Sequence, residues 1–258
     1  MVYSLDMIGI HKQSIKQLQN LETKETLQKI LVHLIVLGHG ESMIDFEKNS
    51  YTVVKGLIEP EWCKTLYNYI GYSADRCGLK QKHDEEKYRE AWDGTFQDKQ
   101  CPGNYAHYGD PMMDSMMMSH GKKIEEVTGM KLAPSYTYYR MYLNGAILKR
   151  HKDRPSCEIS ATVCLDWDDS NCEERKPWSI WIKNSEGEKA IDLEPGDAMI
   201  YKGCDIEHWR EPYHGIACAQ VFYHYTDVNG ERFNPWDGRP HGGIPHGFQR
   251  PKEENKND

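Results

Sequence analysis

SYTYYRMYL at Ser135–Leu143 is the first of six short runs of mainly β-branched and aromatic residues that decide the fold. The others are Glu158–Leu165 (EISATVCL), Trp178–Ile182 (WSIWI), Ala190–Leu193 (AIDL), Asp197–Tyr201 (DAMIY) and Ala217–Tyr225 (ACAQVFYHY). Turn-forming residues separate them, among them Asn144-Gly145 and Pro195-Gly196. Many short strands at this spacing predict an antiparallel sandwich or barrel.

The sequence before these strands predicts supporting helices, so the fold class is mainly β with flanking helices (α+β). Tyr51–Gly56 predicts a further strand, Pro60 is suited to the first turn of a helix, and Asp110-Pro111 opens a second helix. We divide the chain into a helical N-terminal extension packed on the core, a β domain with supporting helices, and an irregular, partly disordered tail rich in Pro, Gly and charge, at residues 1–50, 51–233 and 234–258.

Composition narrows the possible partners. The chain has 258 residues, enough for one sizeable core, and its net charge of −8 argues against a general nucleic-acid binder. Its longest apolar runs are about four residues, far below the ~20 needed to span a membrane. The start lacks the features of a secretory signal, so we expect a cytoplasmic location. We also expect a monomer or homodimer. Eight cysteines without CxxC pairs are expected to be reduced thiols, not a zinc site.

Three His-x-carboxylate pairs occur in the chain, and one lies in a context suited to a metal. Such a pair, completed by a distant histidine, binds Fe(II) on one face and leaves positions open for other ligands. His39-x-Glu41 follows a predicted helix end, and His83-x-Glu85 lies on a charged, solvated helix. His151-x-Asp153 lies between two predicted strands, where residues i and i+2 share a face. We therefore predict His151 and Asp153 as rigidly held metal ligands.

The third ligand is expected from a later strand on the opposite side of the barrel. His208 is the first choice because it follows the strand-turn-strand unit EPGDAMIYKGCDIEHW. His224, near the end of the last strand, and His214, in a turn, are alternatives. A further alternative is that all of these are ordinary structural histidines.

The segment from Tyr142 to Asp153 (YLNGAILKRHKD) resembles the Tyr-x-x-Gly…His-x-Asp stretch of prolyl 4-hydroxylase-like 2-oxoglutarate oxygenases. Thr162 on a strand, the turn at Pro195–Ala198 and His208 follow in that family's order, so the resemblance covers about Lys131–Tyr225. It implies a double-stranded β-helix (jelly-roll, cupin-like) core. It also implies Fe(II) on the three predicted ligands, 2-oxoglutarate and O₂ as cosubstrates, and Tyr142 as a cosubstrate contact.

One position departs from the family. Its members carry a Lys or Arg that pairs with the distal carboxylate of 2-oxoglutarate on the strand after the second histidine. Here the corresponding residue is Cys218, and Ala217–Tyr225 contains no basic residue. A buried carboxylate without a partner is costly, so another residue must supply the charge.

Arg140 is the first candidate for this anchor. Strand alternation puts it on the same face as Tyr138 and Tyr142, and a guanidinium binds a carboxylate through two parallel hydrogen bonds. Arg154 and Arg210, each close in sequence to a predicted ligand, are the alternatives.

These features predict a non-haem iron, 2-oxoglutarate-dependent dioxygenase that hydroxylates a prolyl, amino-acid-like or other small or peptidyl substrate and releases succinate and CO₂. Asp153 favours hydroxylation because related halogenases have Gly or Ala at that position. Two other classes stay open: a cupin-like metal enzyme that does not use 2-oxoglutarate, which Cys218 favours, and a metal-free binding module. Succinate release distinguishes the first from the second, and iron content distinguishes both from the third.

Overall fold

The computed structural model describes residues 45–245, and strands dominate this range. The strands are β1 Tyr51–Val54, β2 Tyr105–Tyr108, β3 Leu132–Leu143, β4 Leu148–His151, β5 Ile159–Asp168, β6 Ile180–Asn184, β7 Gly187–Ile191, β8 Ala198–Lys202, β9 Glu207–Arg210 and β10 Ala217–Asp227. Residues 45–49 are helical, and the α-helices that follow are α1 Pro60–His83, α2 Glu90–Asp93 and α3 Pro111–Thr128. The prediction of a mainly β fold with flanking helices is confirmed.

The strands form two antiparallel sheets, six-stranded and four-stranded. The larger has the order β1-β8-β5-β10-β3-β2, and the smaller has the order β4-β9-β6-β7. Along the chain the strands pass back and forth between the sheets, so that β4 and β9, far apart in sequence, are neighbours in the smaller one. This is a double-stranded β-helix.

Strand alternation divides the core into two layers. On β10, Val221 and Tyr223 join the cluster that packs between the large sheet and the helices. Cys218 and Phe222, on the opposite face, join residues of the smaller sheet such as Ile182. Both layers remove apolar surface from water, and the second encloses the interior of the barrel.

The long helices begin where the sequence predicts. α1 begins at Pro60, whose fixed φ suits the first turn and whose missing N–H costs nothing there. Asp110 caps α3, because its Oδ1 accepts hydrogen bonds from the backbone N–H groups of Met112 at 2.9 Å and Met113 at 3.2 Å. Gly129 ends α3 in the left-handed conformation with φ 69°.

The described part of the predicted tail, residues 234–245, contains a 3₁₀ helix at Pro235–Gly238 and packs on the large sheet. Buried Arg239 donates to Asp114 Oδ2 at 2.9 Å and to the carbonyl of Ser135 at 3.1 Å. Most of the predicted N-terminal extension, residues 1–44, and residues 246–258 lie outside the described range. All eight cysteines are free thiols, and within 45–245 no helix has the length and apolar character to cross a membrane.

Candidate metal centre

Neighbouring strands of the smaller sheet bring the predicted ligands together. His151 on β4 and His208 on β9 are register partners, and their ring centroids lie 4.2 Å apart. Asp153 follows β4, where its backbone N–H donates to Gly203 at 2.9 Å. Its Oδ1 lies 3.6 Å from His151 Nε2 and 3.5 Å from His208 Nε2. Adjacent ligand atoms of an octahedral ion lie about 3 Å apart, so small side-chain movements would close this set on a metal.

Backbone hydrogen bonds orient both imidazoles. His151 Nδ1 donates to the carbonyl of Lys149 at 2.8 Å, and His208 Nδ1 donates to the carbonyl of Ile206 at 3.0 Å. In the neutral form of each ring the proton therefore sits on Nδ1, which leaves the Nε2 lone pair for a metal. Burial lowers the pKa of His151, and charge repulsion from His208 lowers it further. A neutral imidazole is the form that binds a metal.

Asp153 is held as a carboxylate. Burial alone would raise its pKa, but the hydrogen bond and the positive charge that His208 supplies when protonated outweigh burial and bring the pKa below its usual value. Ser160 Oγ donates to Asp153 Oδ2 at 3.0 Å. Two imidazole nitrogens and one carboxylate oxygen match the donor set that proteins use for non-haem Fe(II).

A second cluster shares Asp153 but fits a metal less well. Asp153, Cys157 and His224 also bring donor atoms within 4.8 Å of one another. The Cys157 thiol lies 3.0 Å from the Tyr136 hydroxyl, and burial raises its pKa, which keeps it protonated. His224 Nδ1 lies 2.9 Å from Ser160 Oγ. His224 is therefore linked to Asp153 through Ser160, in a supporting position.

The other candidate histidines lie apart from this centre. His83 is exposed at the end of α1, and His214 is exposed in its turn. His39 lies outside the described residues.

Because of buried His224, we expect the free energy of unfolding to decrease as the solution becomes acidic. Burial lowers its pKa from 6.5 to about 4. Between these values the unfolded chain binds a proton that the folded chain does not, so stability is lost as pH falls from about 6.5 to about 4. From pH 7 to pH 4, wild type should lose about 3 kcal/mol more unfolding free energy than His224→Gln. Urea unfolding of chelator-treated protein measures this, with His214→Gln as control. Equal losses in wild type and His224→Gln would contradict the prediction.

A cavity of about 240 Å³ opens beside the three residues. Tyr138 and Arg140, which the sequence predicts on one face of their strand, both line it. The lining also includes Asp98, Gln100, Tyr136, Leu148, Cys157, Ile180, Tyr201, Phe222 and His224. Among the described lining residues, Tyr142, Thr162 and Arg210 do not appear. They are buried within the barrel, and the Thr162 hydroxyl has no hydrogen-bond partner in the described part of the chain.

Arg140 already has a carboxylate partner. Its Nη2 donates to Asp98 Oδ2 in a short ion pair and to Gln100 Oε1 at 3.0 Å, and its Nη1 donates to the Tyr142 hydroxyl at 2.8 Å. Only 3% of Arg140 is exposed. Sequence reasoning missed Asp98 and Gln100, because the irregular segment between α2 and β2 has no periodic pattern that could reveal them.

The two alternative arginines have different surroundings. Arg210 is fully buried and donates to the carbonyl of Trp178 and, at 3.3 Å, to Gln220 Oε1. A hydrogen bond with Cys164, helped by the charge of Arg210, lowers the pKa of Cys218 despite burial. Arg210 on the smaller sheet thus supplies positive charge to Cys218 on the larger sheet. Arg154 lies outside the cavity and pairs with Asp237 Oδ2 at 2.7 Å.

Comparison with known proteins supports the fold. No family model and no curated protein matches the chain. Among solved structures, it is similar to a Pseudomonas putida prolyl-4-hydroxylase, at 13% identity and TM-score 0.52 over 74% of this chain and all of that one. A Burkholderia pseudomallei oxidoreductase of the 2OG-Fe(II) oxygenase family gives 8% identity and TM-score 0.54 over 77% and 93%.

A third similar structure is HygX from Streptomyces hygroscopicus, with nickel, 2-oxoglutarate and hygromycin B bound. It gives 12% identity and TM-score 0.52 over 80% of this chain and 96% of that one. At these identities the comparisons establish a shared fold, the double-stranded β-helix of 2-oxoglutarate oxygenases.

Proposed function

We propose that this chain is an Fe(II)- and 2-oxoglutarate-dependent dioxygenase that hydroxylates a prolyl, amino-acid-like or other small substrate. The observation that carries the proposal is the meeting of His151, Asp153 and His208 beside a cavity that contains one buried arginine. When bound, Fe(II) would supply the oxidative chemistry in which O₂ converts 2-oxoglutarate to succinate and CO₂ and hydroxylates the substrate.

The chain's own residues would bind and orient the reactants. The three ligands would hold the metal through the two histidine Nε2 atoms and the Asp153 carboxylate. Hydrogen bonds at the Nδ1–H groups and at the carboxylate already direct these side chains. Arg140 and the Tyr138 hydroxyl are the groups in the cavity suited to the distal carboxylate of 2-oxoglutarate. Apolar side chains, Leu148, Ile180 and Phe222, line the same cavity and would limit water around the reacting groups.

The substrate would bind in an adjoining cleft. This second cavity, of about 460 Å³, shares Tyr138 with the first and is lined by Glu90, Thr95, His107 and Arg154 among others. The similar structures span a prolyl hydroxylase and a protein holding hygromycin B, so they support a range of substrates in this fold. Glu90, Thr95, His107 and Arg154 would give such a substrate hydrogen-bonding partners.

A second candidate function is a cupin-like metal enzyme that does not use 2-oxoglutarate. Two observations favour it. Cys218 occupies the family's basic position, and Asp98 neutralises Arg140, the cation of the cavity. A metal-free binding module is the third class.

Anaerobic titration of the purified protein with Fe(II), then with 2-oxoglutarate, tests the proposal. We expect one Fe(II) per chain and, on adding 2-oxoglutarate, the weak visible charge-transfer band of the chelate. Admission of O₂ should then release succinate. Iron binding without the band or succinate would favour the cupin-like enzyme, and failure to bind iron would leave the binding module.

A further inference from the structure

Asp98 presents a carboxylate to the proposed cosubstrate cavity. Its Oδ2 accepts hydrogen bonds from the Tyr138 hydroxyl at 2.5 Å and from Arg140 Nη2. Its side chain is 10% exposed and lines the cavity. These two donors are the same groups that suit the distal carboxylate of 2-oxoglutarate. Asp98 is therefore an internal competitor for the proposed anchor.

Asp98 is ionised at neutral pH. Burial alone would raise its pKa, but the charge of Arg140 and the hydrogen bonds from Tyr138 and Arg140 outweigh burial, so the pKa lies below its usual value. The segment that carries Asp98 is held at both ends. Thr95 and Ala106 exchange two backbone hydrogen bonds of 2.8 Å, and Asn104 Oδ1 accepts from the backbone N–H of Leu143 at 2.8 Å. The negative charge thus has a defined position.

Gln100 extends the competition toward the metal centre. Gln100 Oε1 accepts a hydrogen bond from Arg140 Nη2 at 3.0 Å, and Gln100 Nε2 lies 2.8 Å from His151 Nε2. A single Nε2 lone pair serves one partner, so a metal on His151 would break the Gln100 contact. Asp98 and Gln100 together contact both ends of the path that a 2-oxo acid would follow, from the metal ligand to the cation.

The distal carboxylate of an incoming 2-oxoglutarate dianion would lie close to the negative charge of Asp98. Arg140 is the one arginine or lysine among the described lining residues, and its guanidinium is already neutralised. Two carboxylates on one guanidinium repel each other strongly where water is largely excluded. Pyruvate is a 2-oxo acid without a distal carboxylate. Asp98 would therefore repel only its single carboxylate, which lies farther away at the metal end.

We propose that Asp98 is a specificity-determining residue that competes with the distal carboxylate for Arg140 and so limits the preference for 2-oxoglutarate over monocarboxylate 2-oxo acids. The inference rests on the proposed function, because it needs a metal-bound 2-oxo acid in this cavity. Asp98 then sets the cosubstrate affinity, while the ligand triad and Arg140 set where the cosubstrate binds.

The test is Asp98→Asn, which removes the charge and keeps the shape and an accepting oxygen. We would titrate 2-oxoglutarate and pyruvate, by calorimetry under anaerobic conditions, into wild-type and variant protein loaded with Mn(II). We expect the Kd for 2-oxoglutarate to fall by about tenfold or more, and that for pyruvate to change by less than about threefold. Asp98→Glu, which keeps the charge, should remain close to wild type. Asp75→Asn, on the exposed side of α1, controls for net charge.

The outcomes separate this inference from the proposed function. Unchanged or weaker 2-oxoglutarate binding in Asp98→Asn, with wild type binding normally, would overturn the inference alone; weaker binding would mean that Asp98 positions Arg140. Equal tightening for 2-oxoglutarate and pyruvate would also overturn it. No binding of 2-oxoglutarate to metal-loaded wild type would overturn the proposed function itself. If Asp98→Asn fails to fold by circular dichroism, Asp98→Ser in the same titration decides.

Discussion

Replacing His151, Asp153 or His208 with alanine is expected to abolish Fe(II) binding. Each change removes one of three donor atoms that lie within 4.8 Å of one another, and two remaining protein ligands bind iron far more weakly. Metal analysis of purified, Fe(II)-reconstituted variants measures the effect. Folding should persist in each variant, because the barrel rests on the apolar layers between the sheets and under the helices.

Two further variants serve as controls for this experiment. His83→Ala should keep full iron occupancy, because His83 is exposed at the end of α1. His224→Ala should reduce occupancy at most partly, since His224 reaches Asp153 through Ser160. Full occupancy in His208→Ala, with loss in His224→Ala, would move the third ligand to His224.

Arg140→Ala is expected to weaken 2-oxoglutarate binding by about 2–5 kcal/mol, the cost of breaking a buried charge pair. The effect has two sources, because the variant loses the guanidinium and leaves the Asp98 carboxylate without its cation in the same cavity. Iron affinity should change little, since Arg140 supplies no donor atom. Arg140→Lys should restore binding only in part, because an ammonium cannot form two parallel hydrogen bonds. Calorimetric titration of 2-oxoglutarate into metal-loaded protein measures its affinity for the two variants, and anaerobic titration of Fe(II) into the metal-free proteins measures the iron affinity.

The other two arginines provide the comparison. Arg154→Ala should leave the Kd for 2-oxoglutarate nearly unchanged, because Arg154 lies outside the cavity and pairs with Asp237. Arg210 is the alternative anchor: it is buried and acts on Cys218. A normal Kd in Arg140→Ala, with a large loss in Arg210→Ala, would reassign the anchor to Arg210. No loss in any of the three, with no succinate formed, would favour the cupin-like enzyme.

The sequence alone determined the features that depend on local pattern. Alternating runs such as Ser135–Leu143 predicted the strands, and Pro60 and Asp110 marked helix starts, because side-chain direction and capping depend on neighbouring residues. The period of two also predicted that Tyr138 and Arg140 share a face, and both line the cavity. The chain has two other His-x-carboxylate pairs. Strand context distinguished His151 and Asp153 from them, because residues i and i+2 of a strand share a face.

Only the tertiary structure decided which charges meet. Asp98 and Arg140 are 42 residues apart, and no periodicity links an irregular segment to a strand. Their pairing follows from how the segment between α2 and β2 packs against β3. His224 and Arg210 likewise took their surroundings from strands of the large sheet or from the facing sheet. Burial then gave these contacts their strength, because an ion pair or a lowered pKa depends on the exclusion of water, which arises only when distant segments pack together.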